Sequence, residues 1–295
     1  MTKGREMALG DHTDTHLAER LIGTPNGSIF VSERPGDEPA VVLLHGFPDD
    51  HRVYDKLQSA LTPRRSISFD YLGYGRSDRP NRDKIFHRDH EVELSSVFAS
   101  LGIDEAILVG HDASGPDAVL YAIGHPQQVA HVVLLNTYFG HLPSMKMPEM
   151  TRLFSDPQLA RLVNDLVNDP NQLLWFLTRW GKQMGLDSDV VVESILAQFV
   201  GDENQPNART AIRAWTAALQ AELSQQDLII ESGALRDLQV PVSLIFGEDD
   251  PDLTPALGGE LAALFKNAPL HIVSDAHHYV QDDQADAVAD FVKRI

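Results

Sequence analysis

Cysteine is absent from the 295 residues of this chain. Its absence excludes disulfides, thiolate metal sites and a cysteine nucleophile. Also missing are an apolar run of the roughly 18 to 20 residues needed to span a bilayer and, in the first ten residues, the apolar core of a secretion signal. The composition therefore predicts a soluble globular protein without a membrane partner, and we expect it in the cytoplasm.

Basic residues are scarce: 24 Lys and Arg face 43 Asp and Glu, which gives a formal net charge of −19. The acidic residues are spread along the chain, with local clusters such as Glu248-Asp249-Asp250. Such a surface repels polyanions and therefore argues against nucleic acid and anionic membranes as partners. We expect the partner to be a neutral small molecule.

Short β-rich apolar runs alternate with segments of helical length along most of the chain. A hairpin is predicted around the turn Pro25-Asn26-Gly27, and further strands are predicted at 40–44, 66–70, 106–109, 131–135, 242–246 and 270–273. Alternation of this kind predicts an α/β fold, with a mostly parallel central sheet flanked by helices on both faces.

One long interval, residues 141–235, interrupts this alternation. It holds all three tryptophans and contains consecutive helical patterns without a convincing strand. We interpret it as a helical cap inserted into an α/β core made of residues 17–140 and 236–295. Residues 1–16 are polar and without periodicity, and we expect them to be a flexible N-terminal extension.

The most informative segment is Val109-Gly110-His111-Asp112-Ala113-Ser114-Gly115. An apolar run ends at Gly110 and helical spacing follows from Pro116, so Asp112 falls at a strand-to-helix turn, the context of a nucleophile elbow. An aspartate with a reference pKa of about 3.9 is ionised at neutral pH and can attack a saturated carbon. The alternative is that Asp112 only caps the following helix.

A carboxylate nucleophile also needs donors for developing anions, a base that activates water and a group that orients the base. His45-Gly46-Phe47-Pro48 follows the strand at 40–44 and could bring the Phe47 N–H next to that of Ala113. The turn after 242–246 supplies an acid, for which we choose Asp250 and keep Glu248 and Asp249 as alternatives. A histidine pair, His277-His278, follows the last predicted strand.

These segments, in this order, resemble the α/β-hydrolase superfamily over residues 17–295. Residues 70–80 are similar to the family's D-x-x-G-x-G-x-S-D-[KR]-P segment, and residues 276–283 to its A-G-H-F-V-Q-E-D segment, with His277 in place of the usual glycine. The second match identifies His278 as the catalytic histidine. The chain order of nucleophile, acid and histidine is that of this fold.

Within the superfamily, an elbow with Gly-His-Asp resembles the branch of haloalkane dehalogenases, epoxide hydrolases and fluoroacetate dehalogenases. The resemblance implies that Asp112 attacks an sp³ carbon and forms an alkyl-enzyme ester. His278, oriented by Asp250, would then activate the water that hydrolyses the ester, while the N–H groups of Phe47 and Ala113 stabilise the oxyanion. Neither step needs a metal or an organic cofactor, and we expect none.

The identity of the leaving group depends on the residues near the cap. Epoxide hydrolases generally carry acidic tyrosines on the cap, but all six tyrosines here lie outside 141–235; only Tyr138 is close, and Thr216 stands at the second tyrosine site. A halide needs N–H donors in an apolar pocket, which the indoles of Trp175, Trp180 and Trp215 can supply. We therefore predict a hydrolase that resembles haloalkane dehalogenases, with an epoxide hydrolase as the alternative.

Several features leave further alternatives open. Ala113 replaces the tryptophan usual after the nucleophile in both branches, and Phe47 stands where many dehalogenases place a polar halide contact. Fluoroacetate dehalogenases carry arginines at the positions of Ala113 and Pro116. An esterase would have to use Ser114, two residues from the centre of the elbow, and the same fold could also serve as a non-catalytic small-molecule receptor. The sequence leaves the oligomeric state unknown.

Overall fold

Eight strands form one sheet in the computed structural model, which describes residues 17–186 and 189–295. They are β1 (Ala18–Thr24), β2 (Gly27–Arg34), β3 (Asp37–Leu44), β4 (Arg64–Phe69), β5 (Ala106–Asp112), β6 (Val129–Thr137), β7 (Val242–Gly247) and β8 (Leu270–Val273). Their order is β1-β2-β4-β3-β5-β6-β7-β8. Strand β2 is antiparallel to both neighbours and all other pairs are parallel, so the predicted α/β architecture is confirmed. The predicted extension at 1–16 lies outside the described residues.

The predicted strands are all present, and the differences concern their ends. Strand β8 begins and ends where the apolar run predicts, whereas β3 starts three residues earlier, at Asp37, which pairs with Arg64 of β4. Hydrophobic runs mark the part of a strand that is buried on both faces, but backbone pairing continues beyond it. Every residue of β5 is buried, and this strand ends at Asp112 in the centre of the sheet.

The helices connect the strands and also fill the interval between β6 and β7. They are α1 (Asp55–Ala60), α2 (His87–Leu101), α3 (Gly115–Gly124), α4 (Glu149–Ser155), α5 (Ala160–Asn168), α6 (Pro170–Gln183), α7 (Asp189–Val200), α8 (Arg209–Ser232), α9 (Ala234–Asp237), α10 (Pro255–Ala262), α11 (Val280–Asp283) and α12 (Ala285–Val292). Helices α1, α11 and α12 pack together, while α2 and α3 form a separate pair. Among the described residues, no helix is both long and apolar enough to cross a membrane.

Helices α4 to α9 form a helical insertion between β6 and β7, and its described residues include no strand. Local sequence signals mark the ends of two of these helices. Asp169 caps the N–H groups of Asn171 and Gln172 at the start of α6, and Gly233, in the left-handed conformation, follows the last residue of α8. Gln198 of α7 ties the insertion to the loop after β3, because its amide donates to Asp50 over 2.8 Å. The domain boundaries at 140/141 and 235/236 stay predictions.

Candidate active site

The elbow places Asp112 at the last position of β5, directly before the turn into α3. Its φ of +50° is in the left-handed region, which costs energy for a residue other than glycine and is typical of functional turns. A Cβ atom added to Gly46 would lie 2.7 Å from Cβ of Asp112, and one added to Gly110 would lie 2.8 Å from the backbone carbonyl oxygen of Ser114. Glycine at position 46 therefore allows the ends of β3 and β5 to approach this closely, and glycine at position 110 allows the tight turn of the elbow.

Backbone N–H groups hold the Asp112 carboxylate from the side of the oxyanion turn. The N–H of Phe47 donates to Oδ2 over 3.0 Å, and the N–H of Ala113 also bonds the carboxylate. Burial raises the pKa of Asp112 above its ordinary value, and the charge of His278 and these two N–H groups act in the opposite direction. The two donors that the sequence predicted thus meet on the predicted nucleophile.

Asp250 and His278 form a buried pair on the other side of Asp112. Nδ1 of His278 lies 2.9 Å from Oδ2 of Asp250, whose Oδ1 accepts the N–H groups of Asp252 and Leu253. These partners outweigh burial and lower the pKa of Asp250 to about 2. Burial lowers the pKa of His278, but the carboxylates of Asp250 and Asp112 outweigh it and raise the pKa to about 9.

The orientation of the histidine leaves its second ring nitrogen available. Nε2 of His278 lies 4.0 Å from Oδ1 of Asp112, which is beyond direct hydrogen-bond length. Of the acids considered from the sequence, Glu248 and Asp249 are exposed, and Asp250 is the buried one. The geometry therefore brings together Asp112, His278 and Asp250.

Asn136 supports this group and was missed by sequence reasoning. It ends the apolar run of β6 with a φ of +33°, and its amide donates to Oδ2 of Asp250 over 2.7 Å. Its own Oδ1 accepts the N–H of Gly247 over 3.0 Å, so Asn136 links the ends of β6 and β7. A polar residue directly after the apolar run at 131–135 was the signal in the sequence.

A second residue that the sequence did not predict for the site is Asp49, which is fully buried and interacts electrostatically with Asp112 and His278. The hydroxyl of Tyr279 donates to Oδ1 of Asp49 over 2.9 Å, but Oδ2 has no partner among the described residues and lies 3.9 Å from the equally unpartnered Nδ1 of His111. Burial and the charge of Asp112 raise the pKa of Asp49 to about 7. Burial holds the pKa of His111 well below its ordinary value, so this ring is neutral.

The tryptophans predicted for the pocket do not behave alike. The ring of Trp215 stacks on Phe47 at a centroid distance of 4.2 Å, directly at the oxyanion turn. Trp180 is buried, and its indole nitrogen has no hydrogen-bond partner among the described residues. Trp175, in contrast, is 66% exposed, so the structure does not place it in the site.

Tyr138 and Thr216 are the two residues whose hydroxyls could replace the acidic tyrosines of epoxide hydrolases. Burial raises the pKa of Tyr138 well above its ordinary value and the charge of Asp112 raises it further, so this phenol stays protonated near the carboxylate. The hydroxyl of Thr216 donates to the carbonyl of Ile212 within its own helix, over 2.9 Å. Tyr138 is therefore a candidate proton donor, whereas Thr216 is engaged with the backbone.

Ser114, the nucleophile of the alternative esterase, is held by the backbone. Its hydroxyl bonds the carbonyl oxygens of Leu44 at 2.6 Å and His111 at 2.9 Å, and it also accepts the N–H of His111. No histidine ring contacts this hydroxyl among the described residues. The contacts therefore indicate that Ser114 shapes the elbow.

Two further buried clusters carry side chains of the kind that bind metals. One consists of His87, His90 and Asp117, and the other of Asp50, His51 and Asp70. In the first cluster Nδ1 of His90 lies 2.9 Å from Asp117, and in the second Nδ1 of His51 lies 2.8 Å from Asp70. The carboxylates of both clusters are thus already engaged, Asp117 and Asp70 by imidazoles and Asp50 by Arg52. Sequence spacing gave no signal for either cluster.

Comparison with known proteins identifies the family of this chain. Residues 39–285 match the family model described as the alpha/beta hydrolase fold. The chain is 25% identical over 291 residues to epoxide hydrolase 4 of Mus musculus, covering 93% of this chain and 77% of the relative. It is 26% identical over 290 residues to haloalkane dehalogenase 2 of Mycobacterium bovis, covering 92% of each.

A solved structure gives the same result for the fold. The haloalkane dehalogenase DbeA from Bradyrhizobium elkani superimposes with a TM-score of 0.74 at 21% identity, covering 95% of this chain and 97% of that one. With the family model matching most of its length, the chain belongs to the α/β-hydrolase family and is an enzyme of that family.

Proposed function

We propose that this enzyme hydrolyses a carbon–halogen bond of a neutral small molecule through an alkyl ester on Asp112. The observation that carries the proposal is the arrangement of the Asp112 carboxylate, which accepts the N–H of Phe47 on Oδ2 while Oδ1 faces His278. A carboxylate held in this way is a ready nucleophile, because it needs no base before it attacks.

The first step uses the two carboxylate oxygens differently. Oδ2 is bound by the oxyanion turn, so Oδ1 is the oxygen that attacks the substrate carbon. A new C–O bond forms as the carbon–halogen bond breaks, and the halide leaves with the bonding electron pair. Donors that contact the departing halide would stabilise it, and the indoles of Trp215 and Trp180 are the candidates for this role.

The second step depends on a change in charge at Asp112. Once the carboxylate is an ester, it no longer raises the pKa of His278, so a larger fraction of the histidine is neutral and able to accept a proton from water. Nε2 accepts a proton from a water molecule whose oxygen attacks the ester carbonyl carbon. The charge that develops on Oδ2 is stabilised by the N–H groups of Phe47 and Ala113. The ester C–O bond at this carbon then breaks, the leaving oxygen takes the proton back from Nε2 to give the alcohol, and the acid formed on Asp112 loses its proton to solvent.

Epoxide hydrolysis is the second candidate, and Tyr138 is the observation that favours it. An epoxide oxygen must gain a proton as its ring opens, and the phenol of Tyr138 is protonated, buried and electrostatically coupled to Asp112. A halide needs no such donor. The variant Tyr138→Phe therefore separates the two reactions: it should abolish diol formation and leave halide release nearly unchanged.

The ester is tested with His278→Phe, because this variant can form the intermediate but cannot hydrolyse it. After incubation with a reactive bromoalkane, intact-protein mass spectrometry should show the added alkyl mass, and peptide mapping should locate it on Asp112. The neighbouring variant His277→Phe is the matched control and should not accumulate ester, since the His277 side chain is 40% exposed.

Two results would contradict the proposal. One is a folded His278→Phe protein that stays unmodified with both bromoalkanes and styrene-type epoxides. The other is an Asp112→Ala variant that retains turnover. Halide release and diol formation by the wild-type enzyme, measured in parallel on the same two substrate classes, then decide which bond is broken.

A further inference from the structure

The helical insertion contains a cavity of about 450 Å³. Side chains from α4, α5, α7 and α8 form its apolar walls: Phe154, Val163, Val167, Phe199, Ile212 and Ala217. Pockets for small molecules in proteins typically measure about 300 to 1,000 Å³ and have mostly apolar walls with a few polar groups. The size and the walls of this cavity match that description.

Helix α8 separates the cavity from the active site. Ile212 and Thr216 face the cavity, whereas Trp215 on the other side of the same helix stacks on Phe47 at the oxyanion turn. The lining residues include none of the groups that surround Asp112. A ligand bound here would therefore occupy a site of its own.

Two arginines, Arg209 and Arg213, line the cavity one turn apart on α8. Arg209 is held in place because its Nε donates to the Phe199 carbonyl over 2.6 Å and an Nη donates to Asn168 over 3.1 Å. These two bonds use only part of the five N–H donors of a guanidinium. Neither arginine forms an ion pair with any carboxylate of the described residues, although acidic residues far outnumber basic ones in this chain.

One carboxylate also lines the cavity, that of Asp156, and one of its oxygens is bound by the backbone. It accepts the N–H of Gln158 over 2.8 Å and caps a short helical turn. The remaining donors of Arg209 and the guanidinium of the exposed Arg213 are thus available to a ligand at this site. Arginine binds carboxylates through paired, charge-assisted hydrogen bonds, and the adjoining walls are suited to an alkyl chain or ring.

We propose that this cavity binds a small monocarboxylate with an apolar body, such as a medium-chain fatty acid. The carboxylate accepts hydrogen bonds from Arg209 and Arg213, and the apolar body is buried against Phe154, Phe199 and Ile212. The site does not depend on Asp112, so its occupancy and the proposed reaction can be tested separately.

Calorimetric titration with decanoate and with decanol tests the proposal, because the two ligands share a chain and differ in the charged group. Decanoate should bind the wild-type enzyme and the Asp112→Ala variant equally, and decanol should bind at least about tenfold more weakly. Equal affinity for both ligands would overturn the role of the arginines. Loss of decanoate binding in Asp112→Ala would mean that the ligand sits at the active site and would overturn the second site.

Matched variants test the location of the ligand. Arg213→Gln and the cavity-filling Ala217→Phe should each weaken decanoate binding about tenfold or more. Their controls are Arg161→Gln and Ala221→Phe, which change exposed positions of α5 and α8 outside the cavity lining and should bind as the wild type does. Absence of decanoate binding to the wild type, or equal effects of the cavity variants and the controls, would refute the site.

Discussion

Asp49→Asn should stabilise the folded protein at neutral and alkaline pH, because it removes a buried charge. The pKa of Asp49 is raised to about 7 in the folded state, mainly by burial and by the charge of Asp112. An acid with a raised pKa makes the fold less stable as pH increases, since the unfolded chain loses the proton earlier. The wild type should therefore lose stability relative to the variant between about pH 4 and pH 7.

The magnitude follows from the size of the pKa shift. A rise from 3.8 to about 7 corresponds to about 4 kcal/mol in the free energy of unfolding once Asp49 is ionised. Asparagine also suits the surroundings: its oxygen can keep the hydrogen bond from Tyr279, and its NH2 group can turn to the unpartnered Nδ1 of His111. The two proteins should differ little near pH 4 and by up to about 4 kcal/mol at pH 8.

Urea unfolding followed by circular dichroism, at several values between pH 4.5 and 8.5, measures this difference. Asp83→Asn is the control for the substitution itself, because Asp83 is exposed. The reasoning would be refuted by a difference between wild type and Asp49→Asn that does not change with pH. It would also be refuted by a variant that is the less stable protein at pH 8.5.

Three further predictions concern the catalytic group and its surroundings. Gly46→Ala should lower kcat/KM by about 100-fold in steady-state assays without unfolding the protein, because the new methyl group would lie 2.7 Å from Asp112 Cβ. An unchanged kcat/KM would contradict the close approach of Gly46 to Asp112. Trp215→Ala should raise KM up to about tenfold through lost stacking at the oxyanion turn, while substitution of the exposed Trp175 by alanine should leave KM unchanged. Equal effects of the two variants on KM would show that Trp175 also lines the pocket. In rapid-quench single turnovers, the rate constant of ester breakdown should rise with pH to a plateau, with a midpoint below 9, since only neutral His278 accepts a proton. A rate constant that falls with pH would exclude this base.

The strands and the predicted nucleophile could be located in the sequence because their signals are local. An apolar run followed by Gly110 and a helical pattern is sufficient to predict that Asp112 lies at a strand-to-helix turn, and the structure agrees. The motif around His278 and the acidic turn at Asp250 were likewise recognisable within a few residues. Their meeting point follows from parallel topology, because the carboxyl ends of parallel strands lie at one edge of the sheet.

Other features depend on contacts between residues distant in the chain. Asp49 and Asp50 are adjacent in sequence, yet Asp50 bonds Arg52 and Gln198, while one oxygen of Asp49 has no partner in the part of the chain that the structure describes. The helical pattern of the insertion gave no reason to separate Trp175 from Trp215. Which face of a helix is buried depends on the helices that pack against it, and that is a tertiary property.

By itself, the sequence determined the α/β architecture, the Asp-centred elbow and the order of the predicted catalytic residues, because strand periodicity, glycine turns and short motifs act over a few neighbouring residues. Only the tertiary structure decided which acid meets His278, that Asn136 and Asp49 lie beside it, and which tryptophan reaches the oxyanion turn. Burial and electrostatic coupling arise when separate segments exclude water together, so no single segment of the chain contains that information.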